Sequence, residues 1–475
     1  MNHFLGGDKV KNLKLELFKR NLNKLKKDLF LFSKGNGQEG ILFHKPSLKI
    51  YYLKEPYKQI FYELLNEVDD SCLYNWLKKN ENVVLQFWNE IEFFLKYKIN
   101  NTSKSLERLA LLVSQECGLE CKYCYARGGS YGRNSFMNNV TAKRTLEIFV
   151  NLFNDIETVQ FFGGEPLLNI KCIEETALYV KYLYQKGILK KKPILNIVTG
   201  MGVSKKIIEE LKTLVEQFSE FKFEVVVSID GPERIQNYLR PFKGGYPSFE
   251  IIKRNMELLQ QINQPQLVEV TYTNFHVKNG FKPSDLKSFF YTEFKIENIM
   301  IVPVISKNPE IALSNRDSVL LNEYQEAINQ YQNGNNSKID LINELVNQIL
   351  EQAPNPYFCG SGINSFAVDS IGNIFPCQLL VDNNDFSLGN VFESKVKLEN
   401  LLAVSQQKYS KTFDKTKDKR CSNCFLEYYC RGCPIAPFLL GDQMKIPHET
   451  CKQFKKSVKD SILIKIKEDL LESNY

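Results

Sequence analysis

The 475-residue chain has no run of about 18 apolar residues, the length a helix needs to cross a bilayer. It also lacks the marks of a secretory signal. The opening "MNHFLGGDKVKNLKLELFKRNLNKLKK" is lysine-rich without an apolar core, and "LFLFS" at 29–33 is too short to supply one. The expected location is therefore the reducing cytoplasm, with no membrane partner. Charge of one sign is scarce as well: 62 basic against 55 acidic residues leave a net +7, and the lysines are dispersed. Aromatic residues follow apolar periodicity and do not interleave with a basic patch. No nucleic-acid partner is expected.

Cysteine is what the chain has, 12 in all. In a reducing compartment, closely spaced cysteines bind metal more often than they form disulfides. The length suggests two to four domains, and 43% hydrophobic content is enough for real cores.

Strand-like apolar runs recur at 109–113, 158–162, 194–198, 223–229, 267–273 and 299–305. Each of the first five precedes a segment of helical periodicity, such as "SKKIIEELKTLVEQF" (204–218). Strands alternating with amphipathic helices imply a parallel sheet covered by helices. Six such units fit an α/β fold, a partial TIM-like (β/α)6 barrel, in which chemistry sits on the loops after the strands.

The first of those loops reads "ECGLECKYCYARGG" (116–129) and carries Cys117, Cys121 and Cys124. Three thiolates can hold three irons of a [4Fe–4S] cluster and leave the fourth iron open. A zinc site with a distant fourth ligand, or purely structural thiols, are the other readings.

With Tyr123 before the last cysteine, the triplet resembles the C-x3-C-x-aromatic-C signature of the radical S-adenosylmethionine (SAM) enzymes, in which the open iron chelates SAM. Other marks follow in family order. Gly163, Gly164 and Glu165 of "GGEP" stand where the family meets the methionine amino group. Ser228 and Asp230 of "SIDGP" stand where it binds the ribose or methionine moiety, and Arg240 where related peptide-modifying members meet the SAM carboxylate. Two departures stand out. "TGMG" (199–202) replaces a common Thr-Asn-Gly, and "IQNYLR" (235–240) stands where many relatives have a His-Asp pair before the arginine.

Seven more cysteines lie in the C-terminal third. Cys359 and Cys377 flank "GSGINSFAVDSIGNIFP", whose "FAVDSIGNIFPC" reads as a hairpin around an Ile-Gly-Asn turn. Cys421, Cys424, Cys430, Cys433 and Cys451 follow. Paired C-x2-C units also suit a structural zinc module. The whole pattern resembles the SPASM domain, with one residue fewer before Cys433. By that resemblance Cys359, Cys377 and Cys433 hold a first auxiliary [4Fe–4S] cluster with one iron left open. Cys421, Cys424, Cys430 and Cys451 hold a second completely. Cys72 and Cys172 sit in helical patterns and read as buried small hydrophobes.

Residues 1–100 suggest three short strands followed by helices, which resembles the winged-helix-like peptide-recognition element of enzymes that modify ribosomally made peptides; a generic N-terminal cap on the barrel is the other reading. A leader would bind there by strand addition. The expected limits are 1–100 for that element, 101–310 for the barrel, 311–355 for a helical linker and 356–475 for the SPASM domain.

The assembled pattern resembles the ranthipeptide, freyrasin-type, thioether-forming maturases. That resemblance implies SAM, three [4Fe–4S] clusters, a precursor peptide with a leader, and a flavodoxin- or ferredoxin-type electron donor. The implied reaction joins cysteine sulfur to a carbon of a nearby residue in a cysteine-rich precursor. Carbon–carbon crosslinking or formylglycine formation are the alternatives within the class. Outside it stands a non-catalytic iron–sulfur or zinc scaffold, for which the SAM-pocket marks have no use.

Overall fold

In the computed structural model, which describes residues 4–33, 39–98, 105–314, 316–381 and 383–472, two helices (Phe4–Arg20 and Leu22–Asp28) precede an antiparallel sheet. Its strands, β1 (Leu29–Ser33), β2 (Glu39–His44) and β3 (Lys49–Lys54), pair in sequence order. Helices Tyr57–Asn66, Leu73–Gln86 and Trp88–Lys96 follow. The expected limit at 100/101 lies outside the described residues, as do residues 1–3 and 473–475.

Successive strand residues point to opposite faces, so the unbroken apolar run Ile41-Leu42-Phe43 demands cover on both. Leu29, Leu42 and Leu53 pack against Phe61, Trp76 and Phe94 of the element's own helices. Phe32, Ile41 and Phe43 pack instead against Phe425, Leu426 and Tyr429, from the loop between Cys424 and Cys430. This N-terminal element is thus docked on the C-terminal cysteine region.

All six expected barrel strands form: β4 (Arg108–Ser114), β5 (Thr158–Gly163), β6 (Ile194–Thr199), β7 (Phe223–Ser228), β8 (Leu267–Tyr272) and β9 (Ile299–Pro303). They are parallel neighbours in sequence order. β4 shows why: Leu109 to Val113 are all buried, the near-continuous apolar run that a parallel strand covered on both faces requires. Leu109, Leu111 and Val113 meet the outer helices, while Ala110 and Leu112 turn to the other face. Helix Lys205–Gln217 is typical of the cover, with Ile208, Leu211, Leu214 and Val215 on one stripe.

The hairpin expected at "FAVDSIGNIFPC" forms as β10 (Ser365–Val368) and β11 (Ile374–Phe375). It does more than the sequence indicates. β10 pairs in parallel with β4, giving an eight-stranded sheet of order β11-β10-β4-β5-β6-β7-β8-β9. The second cysteine region is therefore stitched to the strand that carries the first. Helices Val319–Gln332 and Ile339–Leu350, in the stretch read as a linker, pack on the C-terminal helix His448–Glu472 through Ile328, Tyr331, Ile342 and Ile464. Among the described residues no helix is long and apolar enough to cross a membrane.

Candidate active site

A cavity of about 720 Å³ occupies the barrel interior, walled by residues from all six strands β4–β9. Cys117, Cys121 and Cys124 line it from the loop after β4, and Cys433 with Gln378 and Leu379 lines it from the C-terminal region. Burial pushes the Cys117 thiol up to about 12, with the charges of Glu165 and Cys121 adding. Burial likewise pushes Cys121 up to about 11, opposed by Arg240. Thiols so placed do not ionise unaided. They become thiolates when a ligand brings positive charge, as iron does.

Glycine is required where "GGEP" crosses under that loop. Gly163 has φ +133°, and a Cβ there would sit 2.0 Å from the Ser114 carbonyl oxygen. A Cβ on Gly164 would lie 2.4 Å from the Glu116 oxygen. The Gly164 and Glu165 N–H groups donate to the Ser114 and Glu116 carbonyls at 2.8 and 2.7 Å, so the loop is clamped to the end of β4.

Both glycines and Ser228 face the cavity, and Arg240 reaches it. Glu165 and Asp230 are placed differently: each is fully buried behind the wall and engaged by protein donors. Glu165 accepts from Thr199 Oγ1 (2.7 Å), Leu167 N (3.1 Å) and Gly200 N (3.0 Å), and burial raises its carboxyl. The "TGMG" departure thus keeps a working threonine and glycine. Asp230 accepts from Tyr123 Oη (2.6 Å) and Thr271 N (3.0 Å), while Arg240 Nη1 donates to Tyr123 Oη at 2.7 Å. Gln236, in the "IQNYLR" departure, is also buried; its Oε1 accepts the Asp230 N–H at 2.8 Å.

The remaining cysteines fall into two groups whose charges act on one another. Burial raises the Cys359 thiol, and Cys377 adds to the effect. Cys433 is the exposed cysteine of the twelve, and it lies on the cavity wall. Crowding around its sulfur pushes it up to about 11, with Cys377 and Cys359 adding. In the second group burial pushes Cys421 up to about 12, with Asp418, Cys451, Cys430 and Cys424 adding. Cys430 rises to about 12 by burial, and Cys451 and Cys424 act in the same direction. Among the described residues no three His, Cys, Asp or Glu side chains converge on one ion.

Of the two cysteines outside these groups, Cys172 is buried as expected. Cys72 is only half-buried, because it starts helix Leu73–Gln86 and its sulfur accepts the Asp69 N–H at 3.2 Å. Sequence reasoning missed Arg108, Gln378 and Glu269 on the cavity wall. For Glu269 a signal was present: one charge inside the otherwise uncharged strand "LVEVTY".

Comparison with known proteins accords with this geometry. Residues 111–289 match the Radical SAM superfamily, and residues 359–425 match the SPASM iron–sulfur cluster-binding domain. An uncharacterised protein of Methanocaldococcus jannaschii is 34% identical over 169 residues, 36% of this chain and 54% of its own length; the match spans about half of that relative. The radical SAM cyclopropyl synthase TigE of Paramaledivibacter caminithermalis is 22% identical over 437 residues, 85% of this chain and 84% of its own. The cysteine-type anaerobic sulfatase-maturating enzyme of Clostridium perfringens is 26% identical over 337 residues, 68% and 88% of the two chains. The solved structure of native anSMEcpe with bound AdoMet shares the fold, with TM-score 0.57 and 19% identity over 76% of this chain and 99% of that one.

Proposed function

The chain is a radical SAM enzyme with a SPASM iron–sulfur domain, and on that premise we propose that it forms sulfur-to-carbon thioether crosslinks in a ribosomally made, cysteine-rich precursor peptide. Its cofactors are SAM, a [4Fe–4S] cluster and auxiliary iron–sulfur clusters. In this reading Cys117, Cys121 and Cys124 hold the SAM-binding cluster. Cys359, Cys377 and Cys433 hold the first auxiliary cluster, and Cys421, Cys424, Cys430 and Cys451 the second. When bound, SAM and its reduced cluster supply a 5′-deoxyadenosyl radical that removes hydrogen from an unactivated C–H bond.

The protein's part is to place and shield. Gly163 and Gly164 would let the backbone approach SAM, Ser228 would bind its ribose or methionine moiety, and Arg240, steered by Tyr123 and Asp230, would meet its carboxylate. Glu165 holds the loop after β6 in position. One observation carries the thioether reading: Cys433 lies on the wall of the same cavity as Cys117, Cys121 and Cys124. Its group counts three thiols where the other auxiliary group counts four, so one iron of its cluster would be left without a cysteine and open to a substrate sulfur.

The precursor's leader would add to the sheet at β3, which has one strand neighbour. Lys49 and Lys54 are exposed at its ends, with half-buried Ile50, Tyr51 and Tyr52 between, a surface suited to an extended peptide carrying acidic and apolar residues. Electrons would come from a flavodoxin- or ferredoxin-type donor in the cytoplasm. A carbon–carbon bond is the second reading, favoured by the similarity to a cyclopropyl synthase over 85% of the chain.

The test is anaerobic reconstitution followed by incubation with SAM, reductant and any cysteine-rich precursor peptide found encoded beside the gene. Three clusters require about twelve irons per chain. A thioether product loses the mass of a hydrogen pair and the matching alkylatable thiol. The same mass loss with every thiol still alkylatable would replace this reading with the carbon–carbon one.

A further inference from the structure

Among the described residues, no hydrogen-bond donor engages one acidic side chain on the cavity wall. Glu269 lies midway along β8 on the inward face, in register with Ser228 of β7 on one side and Met300 of β9 on the other. The other wall carboxylate, Glu224, is engaged: Lys222 is 2.6 Å away and Asn196 Nδ2 donates to it at 3.5 Å. Tyr125 and Tyr131, also on the wall, pair hydroxyl to hydroxyl at 3.3 Å. No donor among the described residues reaches the Glu269 carboxylate, and the cation whose charge acts on it, Arg240, is already held by Tyr123. An unpaired carboxylate in a half-buried site costs stability; the charge of Arg240 offsets part of that cost and the charge of Asp230 adds to it.

We propose that Glu269 is the proton acceptor for the substrate thiol during crosslinking, an inference that rests on the thioether reading. The balance identifies the need. The substrate C–H bond breaks and its hydrogen atom leaves with the SAM-derived radical. The S–H bond breaks and its proton goes to Glu269. The C–S bond forms, and the one electron left over passes to an auxiliary iron–sulfur cluster. Burial raises the Glu269 carboxyl, with Asp230 adding and Arg240 opposing, so it holds a proton more readily than an exposed carboxylate would.

The experiment compares the wild-type, Glu269→Gln and Glu269→Asp holoenzymes. Iron content and precursor affinity, the latter by fluorescence anisotropy without SAM, should be unchanged in both variants. At pH 7 the Gln variant should crosslink about 100-fold more slowly, while 5′-deoxyadenosine formation stays within about threefold and the Asp variant keeps much of the activity. Near pH ~9 a substrate thiol ionises without help, so crosslinking by the Gln variant should recover. A Gln variant that crosslinks at the wild-type rate at pH 7 overturns the proposal. So does a loss that neither alkaline pH nor Asp restores, which marks a structural role. A wild-type product with all thiols still alkylatable overturns the thioether reading itself, and this proposal with it.

Discussion

The hydroxyl of Tyr123 donates a 2.6 Å hydrogen bond to the buried carboxylate of Asp230 and accepts one from Arg240, so a residue of the cysteine loop positions the arginine after β7. An aromatic ring would satisfy the family signature; the hydroxyl does something further. Tyr123→Phe keeps the ring and removes both bonds, leaving Asp230 with the Thr271 N–H and an arginine 3.9 Å away. A hydrogen bond to a charged group is worth about 1.5–3 kcal/mol. SAM affinity should fall by roughly tenfold or more while iron content is unchanged. Equilibrium SAM binding on reconstituted protein checks this, and unaltered affinity would confine the network to a structural role.

Backbone strain gives a second prediction with an internal control. Gly163→Ala places a Cβ 2.0 Å from the Ser114 carbonyl at φ +133°, and backbone cannot yield as a side chain would. The variant should be destabilised by well over about 3 kcal/mol or fail to fold. Gly187→Ala also has a positive φ, +69°, but its Cβ would meet nothing within 4 Å. It should cost only about 1–2 kcal/mol. Equal melting temperatures for the two variants would contradict the clamped geometry of the loop.

These sites differ in how far the sequence betrays them. Cys117, Cys121 and Cys124 share one loop, so their spacing carries the chemistry without any knowledge of the fold. The barrel strands are legible because parallel strands buried on both faces become apolar runs. The clustering of Cys433 with Cys359 and Cys377 was reached only through resemblance, since the ligands interleave with the second group. Contacts between distant segments leave no local trace: neither β10 pairing with β4 nor Phe43 packing on Phe425 has a signature in its neighbours. Asp230 and Glu165 show the limit from another side. A carboxylate beside a cofactor loop looks the same in sequence whether it faces the ligand or braces the wall behind it. The first two helices were missed because "LKLELFKRNLNKLKK" offers only a thin apolar stripe among its lysines.

His44 makes stability depend on pH. Its ring is fully buried against Phe94, and its Nδ1 meets Ser47 Oγ at 2.7 Å. Burial, then the charges of Lys24, Lys45 and Lys49, lower its pKa to about 3 from an ordinary 6.5. Between those values the unfolded chain binds a proton that the folded chain refuses. The stability is fully present above pH ~6.5 and is lost as pH falls toward ~3, by at most about 1.4 kcal/mol per pH unit. Denaturant titrations at pH ~7 and ~5 should show the loss in wild type and a smaller one in His44→Gln. An equal loss in both would assign the effect elsewhere.

The last prediction concerns how the N-terminal element is held. Lys45 Nζ lies 2.7 Å from Glu427 Oε2 with both side chains wholly buried, and it also donates to the Ser422 carbonyl at 3.1 Å. One ion pair thereby ties the strand-turn region after β2 to the loop that carries Cys421, Cys424 and Cys430. Breaking a buried pair by removing one partner leaves the other charge stranded, at about 3–5 kcal/mol. Lys45→Met should therefore destabilise the protein by that amount and loosen the Cys421–Cys430 loop, lowering iron by about one cluster. Replacing both charges, as in Lys45→Met with Glu427→Gln, removes the wholly buried carboxylate and leaves Asp28, 3.9 Å from Lys45, as the one that loses its cation, so part of the stability should return. Deleting the whole element is a poorer probe, because Phe425, Leu426 and Tyr429, now covered by β1 and β2, would be left bare. Denaturant unfolding and iron content of the single and double variants decide it. A Lys45→Met protein with wild-type stability and full iron would show that the pair does not fasten the element to the cysteine loop.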